Sequence, residues 1–224
     1  MMKVIILSAG RGERLRPLTD VTPKPLLHAG EFRLIEYTIQ SLVKAGFKDI
    51  IINTAHLGEQ FPKLLGNGDA YNASITYSPE QEGGLETAGG IINALPLLGD
   101  EPFLVVNGDI WTDYDFENLI QFELNESVLG HLVFVDNPEH NSHGDFCLKS
   151  GTVGLEGEYK LTYSGISVYH PDFFAGYDVQ RLALKPLLLN AIDKQQLSGE
   201  HYRGQWSDIG TVERLQSLSN QLSD

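Results

Sequence analysis

Two groups of residues in this chain have the types and spacing to do chemistry. The first is the stretch Leu7-Ser8-Ala9-Gly10-Arg11-Gly12-Glu13-Arg14-Leu15-Arg16-Pro17-Leu18-Thr19, closed by Thr22-Pro23-Lys24-Pro25. Glycine lets the main chain approach a ligand closely and adopt positive φ, so successive N–H groups can point at one anion. Arg11, Arg14, Arg16 and Lys24 concentrate positive charge around those glycines. Such a loop suits a triphosphate. The second group is a pair of acids, Asp109 in Asn107-Gly108-Asp109 and Asp208 in Trp206-Ser207-Asp208-Ile209-Gly210-Thr211, each where an apolar run gives way to glycine. A carboxylate in such a context is costly unless a cation pairs with it. Two carboxylates from distant segments are what magnesium on a phosphate wants, because the ion completes its octahedron with phosphate oxygens and water. Taken alone, Asp109 reads equally well as a turn-forming aspartate.

The chain around these groups has to bring them together. Before the glycine loop, Lys3-Val4-Ile5-Ile6-Leu7 is an apolar, β-branched run that reads as a buried strand. The spacing predicts a helix over 34–46, a strand over 49–53, a short helix within 56–65 that Pro62 disturbs or starts, and a strand over 74–77. A loop then feeds a helix over 85–95, and a fourth strand covers 103–107. Alternation of this kind gives an α/β fold, Rossmann-like, with a mostly parallel (mixed) sheet flanked by helices. Ligands of such sheets sit beyond the carboxyl ends of the strands. Residues 10–14, Asn53, 80–86 and 107–109 each follow a strand, so they are expected at one edge. In the second half, strands at 131–135, 146–148, 159–163 and 166–169 are separated by Gly, Asn and Pro, and helices are expected over 182–192 and 212–222. This half reads as a smaller β-rich lid region. The expected organisation is one domain over 1–224, with a nucleotide-binding part at about 1–110 and 200–224 and a sugar-binding or lid part at about 111–199.

Composition narrows the class further. The 224 residues suffice for a full core, and 42% are hydrophobic. A net charge of −14 argues against a nucleic-acid partner. No apolar run is long enough to span a membrane, and Met1-Met2-Lys3 leads directly into the first strand rather than a signal peptide. A cytoplasmic protein, monomeric or a weak homo-oligomer, is the expectation. Cys147 stands alone and reads as a small strand hydrophobe. Asp113 and Asp115 read as capping or surface acids, and His140, His143 and His201 as solvated loop histidines. Known phosphate loops do not match. A P-loop needs Gly-Lys-Ser/Thr where Gly12-Glu13-Arg14 stands, and the dinucleotide fingerprint needs glycine where Leu15 stands.

The string Leu-Ser-Ala-Gly-x-Gly-x-Arg-x-x-Pro-x-Thr followed by Pro-Lys-Pro resembles the signature of sugar-1-phosphate nucleotidylyltransferases. The resemblance covers essentially the whole chain and implies the nucleotide-diphospho-sugar transferase fold. It implies that residues Ser8, Ala9, Gly10, Arg11, Gly12 and Glu13 wrap the nucleotide phosphates, that Arg14 contacts them, and that Lys24 contacts the reacting phosphates. Asp109 and Asp208 then match the family's Mg2+ motifs, which decides between the two readings of Asp109. The segment Glu80-Gln81-Glu82-Gly83-Gly84-Leu85-Glu86-Thr87-Ala88-Gly89-Gly90 looks like the base-recognition segment, bringing Glu80, Glu86, Thr87 and Gly89 beside Asn53 as nucleotide-site candidates. Asn107, Gly144, Asp145, Ser164 and Gly165 are the sugar-site candidates.

Five shorter matches tighten the resemblance to one subgroup: Glu86-Thr87-x-Gly89-Gly90-Ile91, Asn107-Gly108-Asp109-x-Trp111-Thr112-Asp113-Tyr114-Asp115-Phe116, Gly144-Asp145-Phe146, Ser164-Gly165-Ile166-Ser167-Val168 and Ser198-Gly199-Glu200-His201-Tyr202-Arg203-Gly204. They are similar to the bacterial N-acetylmuramate α-1-phosphate uridylyltransferases of cell-wall recycling. That resemblance implies UTP and the sugar 1-phosphate as substrates, and UDP-N-acetylmuramate and pyrophosphate as products. Muramate carries a lactyl carboxylate, for which Arg203 is the expected basic partner, a surface salt bridge being its other reading. The alternatives are a uridylyl-, guanylyl- or thymidylyltransferase for mannose, glucose or heptose 1-phosphate, and a non-catalytic subunit that binds sugar nucleotides.

Overall fold

The computed structural model describes residues 2–81, 83–125 and 127–223. The first strand, Val4–Leu7 (β1), leads into the glycine loop, which runs through three short 3-10 turns to a two-strand hairpin, His28–Ala29 (β2) and Phe32–Arg33 (β3). Helix Leu34–Lys44 (α1) follows, with the Arg33 amide donating to the Glu36 carboxylate (2.8 Å) at its start. Next come Asp49–Thr54 (β4), Gln60–Leu65 (α2), Ser74–Pro79 (β5), Glu86–Leu98 (α3), Phe103–Asn107 (β6) and the short Ile110–Thr112 (β7). Then follow Glu117–Ile120 (α4), Gly130–Val135 (β8), Cys147–Lys149 (β9), Thr152–Gly154 (β10) and Thr162–Tyr169 (β11). The chain closes with Leu184–Asp193 (α5), Leu197–His201 (β12), Trp206–Asp208 (β13) and Val212–Gln221 (α6).

The strand order of the main sheet is β5-β4-β1-β6-β11-β8-β12-β10-β9. The four strands of the first half, β5, β4, β1 and β6, are parallel to one another. Strand β11 pairs antiparallel with β6 and with β8, so the second half continues the same sheet. Beyond β8, strand β12 is parallel, and β10 and β9 complete the edge antiparallel. The sheet is thus mixed, parallel across β5, β4, β1 and β6, and covered by helices. Outside it, β7 and β13 form an antiparallel ribbon.

Alternation along β1 separates the two faces. Ile5, with Ile51 and Val105, packs under Ile91 of α3 and Leu187 of α5. Val4 and Ile6, with Ile50 and Ile52, pack under Ile35 and Ile39 of α1 and Phe61 of α2. A third cluster joins Leu15 of the glycine loop to Leu34 and to Leu215 and Leu218 of α6, which ties the loop to the C-terminal helix.

Several expected elements change in extent. The expected strands at 159–163 and 166–169 are one strand, β11, whose register against β8 shifts between Tyr163 and Ile166. Gly165, at φ +83°, makes a bulge there rather than a turn. Helix α3 continues past Leu95 to Leu98 with Pro96 inside it, at the loss of the N–H that a non-proline residue would donate to the preceding turn. Pro62 and Pro186 sit third in α2 and α5, where no intrahelical N–H is required.

Ile5 is fully buried at the centre of the sheet, whereas Leu189 on α5 is 37% exposed. Ile5→Ala is expected to lower unfolding stability by about 2–5 kcal/mol and Leu189→Ala by no more than about 0.5 kcal/mol. Urea unfolding of the two variants checks this, and equal costs would contradict the assigned core.

Candidate active site

The carboxyl ends of β1, β4, β5 and β6 open into a cleft of about 780 Å³. The glycine loop forms one wall. Gly12 holds φ +68°, and a Cβ there would meet the Thr19 methyl at 2.9 Å, so only glycine closes this turn. The Thr19 hydroxyl donates to the Gly12 carbonyl (2.8 Å). Ser8, Ala9, Gly10, Arg11, Gly12, Glu13, Arg14 and Lys24 all line the cleft. Arg11 is turned back on its own loop, donating to the Thr19 carbonyl (2.6 Å) and to Asp20 (2.8 Å). Arg16 pairs with Asp20 and is exposed outside the cleft.

The opposite wall is built by a polar chain across three strand ends. The Ser8 amide donates to Asn53 Oδ1 (2.6 Å), Asn53 Nδ2 donates to Glu80 Oε1 (2.6 Å), and the Leu85 amide donates to Glu80 Oε2 (2.6 Å). Burial pushes the Glu80 carboxyl above its usual range, against the Leu85 and Asn53 bonds. Glu86 and Thr87 line the cleft, and Glu86 is held at φ +59° with Arg181 Nε on its carboxylate (2.9 Å). Gly89 does not line it. Its amide donates to the Leu182 carbonyl, and a Cβ would stand 2.1 Å from the Gln180 carbonyl oxygen, so it docks the 180–182 segment onto α3. Glu82 of the expected base-recognition segment lies outside the described residues.

The distant acids meet on the β7–β13 ribbon. Asp208 is paired with Ile110, and the Ile209 amide donates to the Asp109 carbonyl (2.8 Å). Both carboxylates are neutralised within the protein. Lys24 Nζ lies 2.5 Å from Asp109 Oδ2, and Arg214 Nη1 lies 2.5 Å from Asp208 Oδ1. His140 Nε2 is 2.9 Å from the same Asp208 oxygen, so this histidine is a partner of the site and not the solvated residue expected. His201 likewise pairs with Asp136 (2.9 Å) and is largely covered, while His143 is exposed. Asp113 accepts from the Tyr202 hydroxyl and the Gln205 amide (2.7 Å), and Asp115 accepts from the Glu117 amide (3.1 Å), as capping acids do.

A second cleft of about 460 Å³ shares Glu86, Thr87 and Asn107 with the first and extends toward the second half. Of the sugar-site candidates, Asn107 and Asp145 line it. Ser164 and Gly165 support it from behind. The Ser164 hydroxyl donates to the Val133 carbonyl (2.7 Å), and a Cβ on Gly165 would fall 2.5 Å from Asn107 Nδ2. Gly144 holds φ +63° against the Lys160 main chain. Arg203 is exposed on the loop between β12 and β13 and lines neither cleft. Sequence reasoning missed Arg181 and Lys185, which lie before and at the start of α5, and Arg214 and Gly210 beside the acids. Gly210 sits in the quoted Trp-x-Asp-Ile-Gly-Thr motif, so its signal was available, whereas the other three carry no local pattern.

A family model described as nucleotidyl transferase matches residues 3–147. The chain belongs to the nucleotidyl transferase family. Within it, this transferase is 50% identical over 220 residues to the N-acetylmuramate alpha-1-phosphate uridylyltransferase of Neisseria meningitidis serogroup B, covering 96% of this chain and 95% of that protein. It is 30% identical to the catalytic subunit beta of mannose-1-phosphate guanylyltransferase from Drosophila pseudoobscura pseudoobscura, over 93% of this chain but 59% of that protein. A Bacillus anthracis crystal structure, described as a candidate glucose-1-phosphate thymidylyltransferase, superposes with a TM-score of 0.87 at 23% identity, covering 100% of this chain and 96% of that chain, which establishes the shared fold. Among the described residues no helix is long and apolar enough to cross a membrane.

The Asn53 bridge is a structural device of the transferase, and its loss strands buried partners. Asn53→Ala is expected to cost about 1–3 kcal/mol in urea unfolding, because the Ser8 amide and Glu80 lose their bonds in a buried setting. Unchanged stability would mean that water replaces the side chain without cost.

Proposed function

We propose that this nucleotidyl transferase moves the uridylyl group of UTP onto N-acetylmuramate α-1-phosphate, giving UDP-N-acetylmuramate and pyrophosphate. The observation that carries the reading is the 50% identity to the N-acetylmuramate alpha-1-phosphate uridylyltransferase over nearly the full length of both chains. The geometry supports it, because a phosphate-type cleft and a second cleft meet at Asn107 and Thr87, where the two substrates would join. The parallel half of the sheet serves the nucleotide and the antiparallel half the sugar. A single copy lines both clefts, so a monomer or weak homo-oligomer suffices, and UTP points to the cytoplasm as the place of reaction.

In this reading an oxygen of the sugar phosphate attacks the α-phosphorus of UTP, forming the new P–O bond as the bond to pyrophosphate breaks. That oxygen is already anionic and needs no general base. What remains for the protein is alignment and charge neutralisation. The base lies against the Glu80–Thr87 side of the cleft, and the first-turn amides of α3 face the phosphates. The amides of Gly10 and Gly12 and the guanidinium of Arg14 face the departing pyrophosphate. Lys24 turns from Asp109 to the reacting phosphates.

Asp109 and Asp208 fit a divalent cation. They are hard oxygen donors at one end of the β7–β13 ribbon, Asp109 directly before β7 and Asp208 at the end of β13, and among the described residues no group of three or more His, Cys, Asp or Glu side chains gathers into an all-protein cage. Such a pair suits Mg2+, which supplies further neutralisation of the phosphates when bound.

Pyrophosphate release with magnesium tests the reading, crossing four nucleoside triphosphates against N-acetylmuramate, N-acetylglucosamine, glucose and mannose 1-phosphates. The strongest signal is expected with UTP and the muramate phosphate. A dominant signal with GTP and mannose 1-phosphate would move the assignment to the activity named for the 30%-identical relatives. Lys24→Ala and Asp109→Ala are each expected to lower turnover by at least about a hundredfold, as the loss of a charge-stabilising group does. Their melting temperatures should stay within a few degrees of the unaltered protein. An active Asp109→Ala protein with native melting would sink the assignment.

A further inference from the structure

We propose that Lys185 determines substrate specificity by pairing with a carboxylate carried on the sugar. The inference rests on the function proposed above and names the residue that would distinguish an acidic sugar phosphate from its neutral parent. N-acetylmuramate differs from N-acetylglucosamine by an ether-linked lactyl group, which adds one methyl and one carboxylate. A site that prefers it needs apolar surface for the first and a free cation for the second.

The cations of the nucleotide cleft are engaged or belong to the phosphates. Lys24 lies on Asp109, Arg11 on Thr19 and Asp20, and Arg181 on Glu86. Arg14 stands in the glycine loop, its guanidinium near Gly210. In the second cleft the one basic lining residue among the described residues is Lys185, in the first turn of α5. Among the described residues its ammonium makes no ion pair or hydrogen bond, and it is exposed at the cleft's rim.

The acids at this cleft are already satisfied and do not claim the lysine. Asp145 Oδ2 accepts from the Tyr163 amide (2.9 Å) and from Asn141 Nδ2 (3.3 Å), and Glu86 accepts from Arg181 (2.9 Å). Phe146, Leu184 and Leu188 supply the apolar wall. The cleft thus presents both features that the lactyl group requires, whereas Arg203 lies outside both clefts.

Lys185 is a point charge at an exposed rim, so its pairing is partly screened by water and salt. The test measures kcat/KM with UTP for N-acetylmuramate 1-phosphate relative to N-acetylglucosamine 1-phosphate. The proteins compared are the unaltered chain, Lys185→Ala, Lys185→Arg and Arg203→Ala. Lys185→Ala is expected to lower that ratio by about tenfold, mainly through KM for the muramate phosphate, as loss of one charge-assisted contact does. Lys185→Arg should keep the preference and Arg203→Ala should leave it unmoved. A ratio that survives Lys185→Ala, or one that collapses in Arg203→Ala instead, overturns this inference while leaving the proposed function intact. No turnover of the muramate phosphate by the unaltered protein overturns the proposed function, and the role of Lys185 with it.

Discussion

The active-site half of this protein depends on how the ends of its parallel strands are stitched together. Neighbouring parallel strands finish side by side, and their last residues have no further ladder to satisfy them. Asn53, at the end of β4, answers this with both ends of its amide, accepting from the main chain after β1 and donating to the acid after β5. Glu80 passes the constraint on to the Leu85 amide, at the start of α3. The chain of bonds fixes the glycine loop relative to the turn before α3, so the cleft width is set before any ligand arrives. Gly90 shows how tightly this is drawn, since a Cβ there would stand 2.4 Å from Glu80 Oε1. Side chains that line a ligand cleft can therefore serve chiefly to hold its walls, and Asn53 and Glu80 do so.

The same distinction runs through the second cleft. Ser164 spends its hydroxyl on the Val133 carbonyl and Gly165 gives Asn107 room, so both shape the cleft without entering it. The bulge in β11 explains why. A flat strand would carry its side chains past the end of β6, while the two inserted residues, Ser164 and Gly165, bend β11 around Asn107. Trp206 of the β7–β13 ribbon donates its indole N–H to the Ser164 carbonyl (2.9 Å), joining the bulge to the strand that carries Asp208. The second cleft and the acid pair are thus mechanically continuous.

Much of this was legible in the sequence because β1, β4 and β6 are buried on both faces and read as unbroken apolar runs, while the edge strand β5 alternates. These strands lead into Ser, Asn, Asn-Gly-Asp and Pro-Glu respectively, and the rule that ligands gather at the carboxyl edge brought those ends together correctly. The convergence of Asp109 and Asp208 came from motif resemblance, and the ribbon pairing that produces it joins segments too far apart for periodicity to connect. Three kinds of residue were not legible. Arg181 and Lys185 reach the clefts because Gly89 docks the 180–182 segment on α3, a contact between distant backbones that no local pattern encodes. His140 looked like a solvated loop residue because its partner is 68 positions away, on the far side of the fold. The place of Arg203 was not legible either: the loop that carries it leaves it exposed and outside both clefts.

The charge arrangement is the last constraint, and it bears on how the site can work. An acidic chain of net charge −14 must receive two polyanions, so bare carboxylates at the cleft would repel both substrates. Here each acid of the pair is covered by a cation, Asp109 by Lys24 and Asp208 by Arg214 with His140. The acid pair is therefore held with its charges matched before any ligand binds. Under the proposed function, a phosphate that draws Lys24 away would leave the Asp109 carboxylate free to hold a divalent ion. Exchange between partners of similar strength costs far less than stripping a charge of its water. On that reading, the cation on the acids and the phosphate on the lysine would depend on each other. Such coupling favours assembly of the full reacting complex over binding of either ligand by itself.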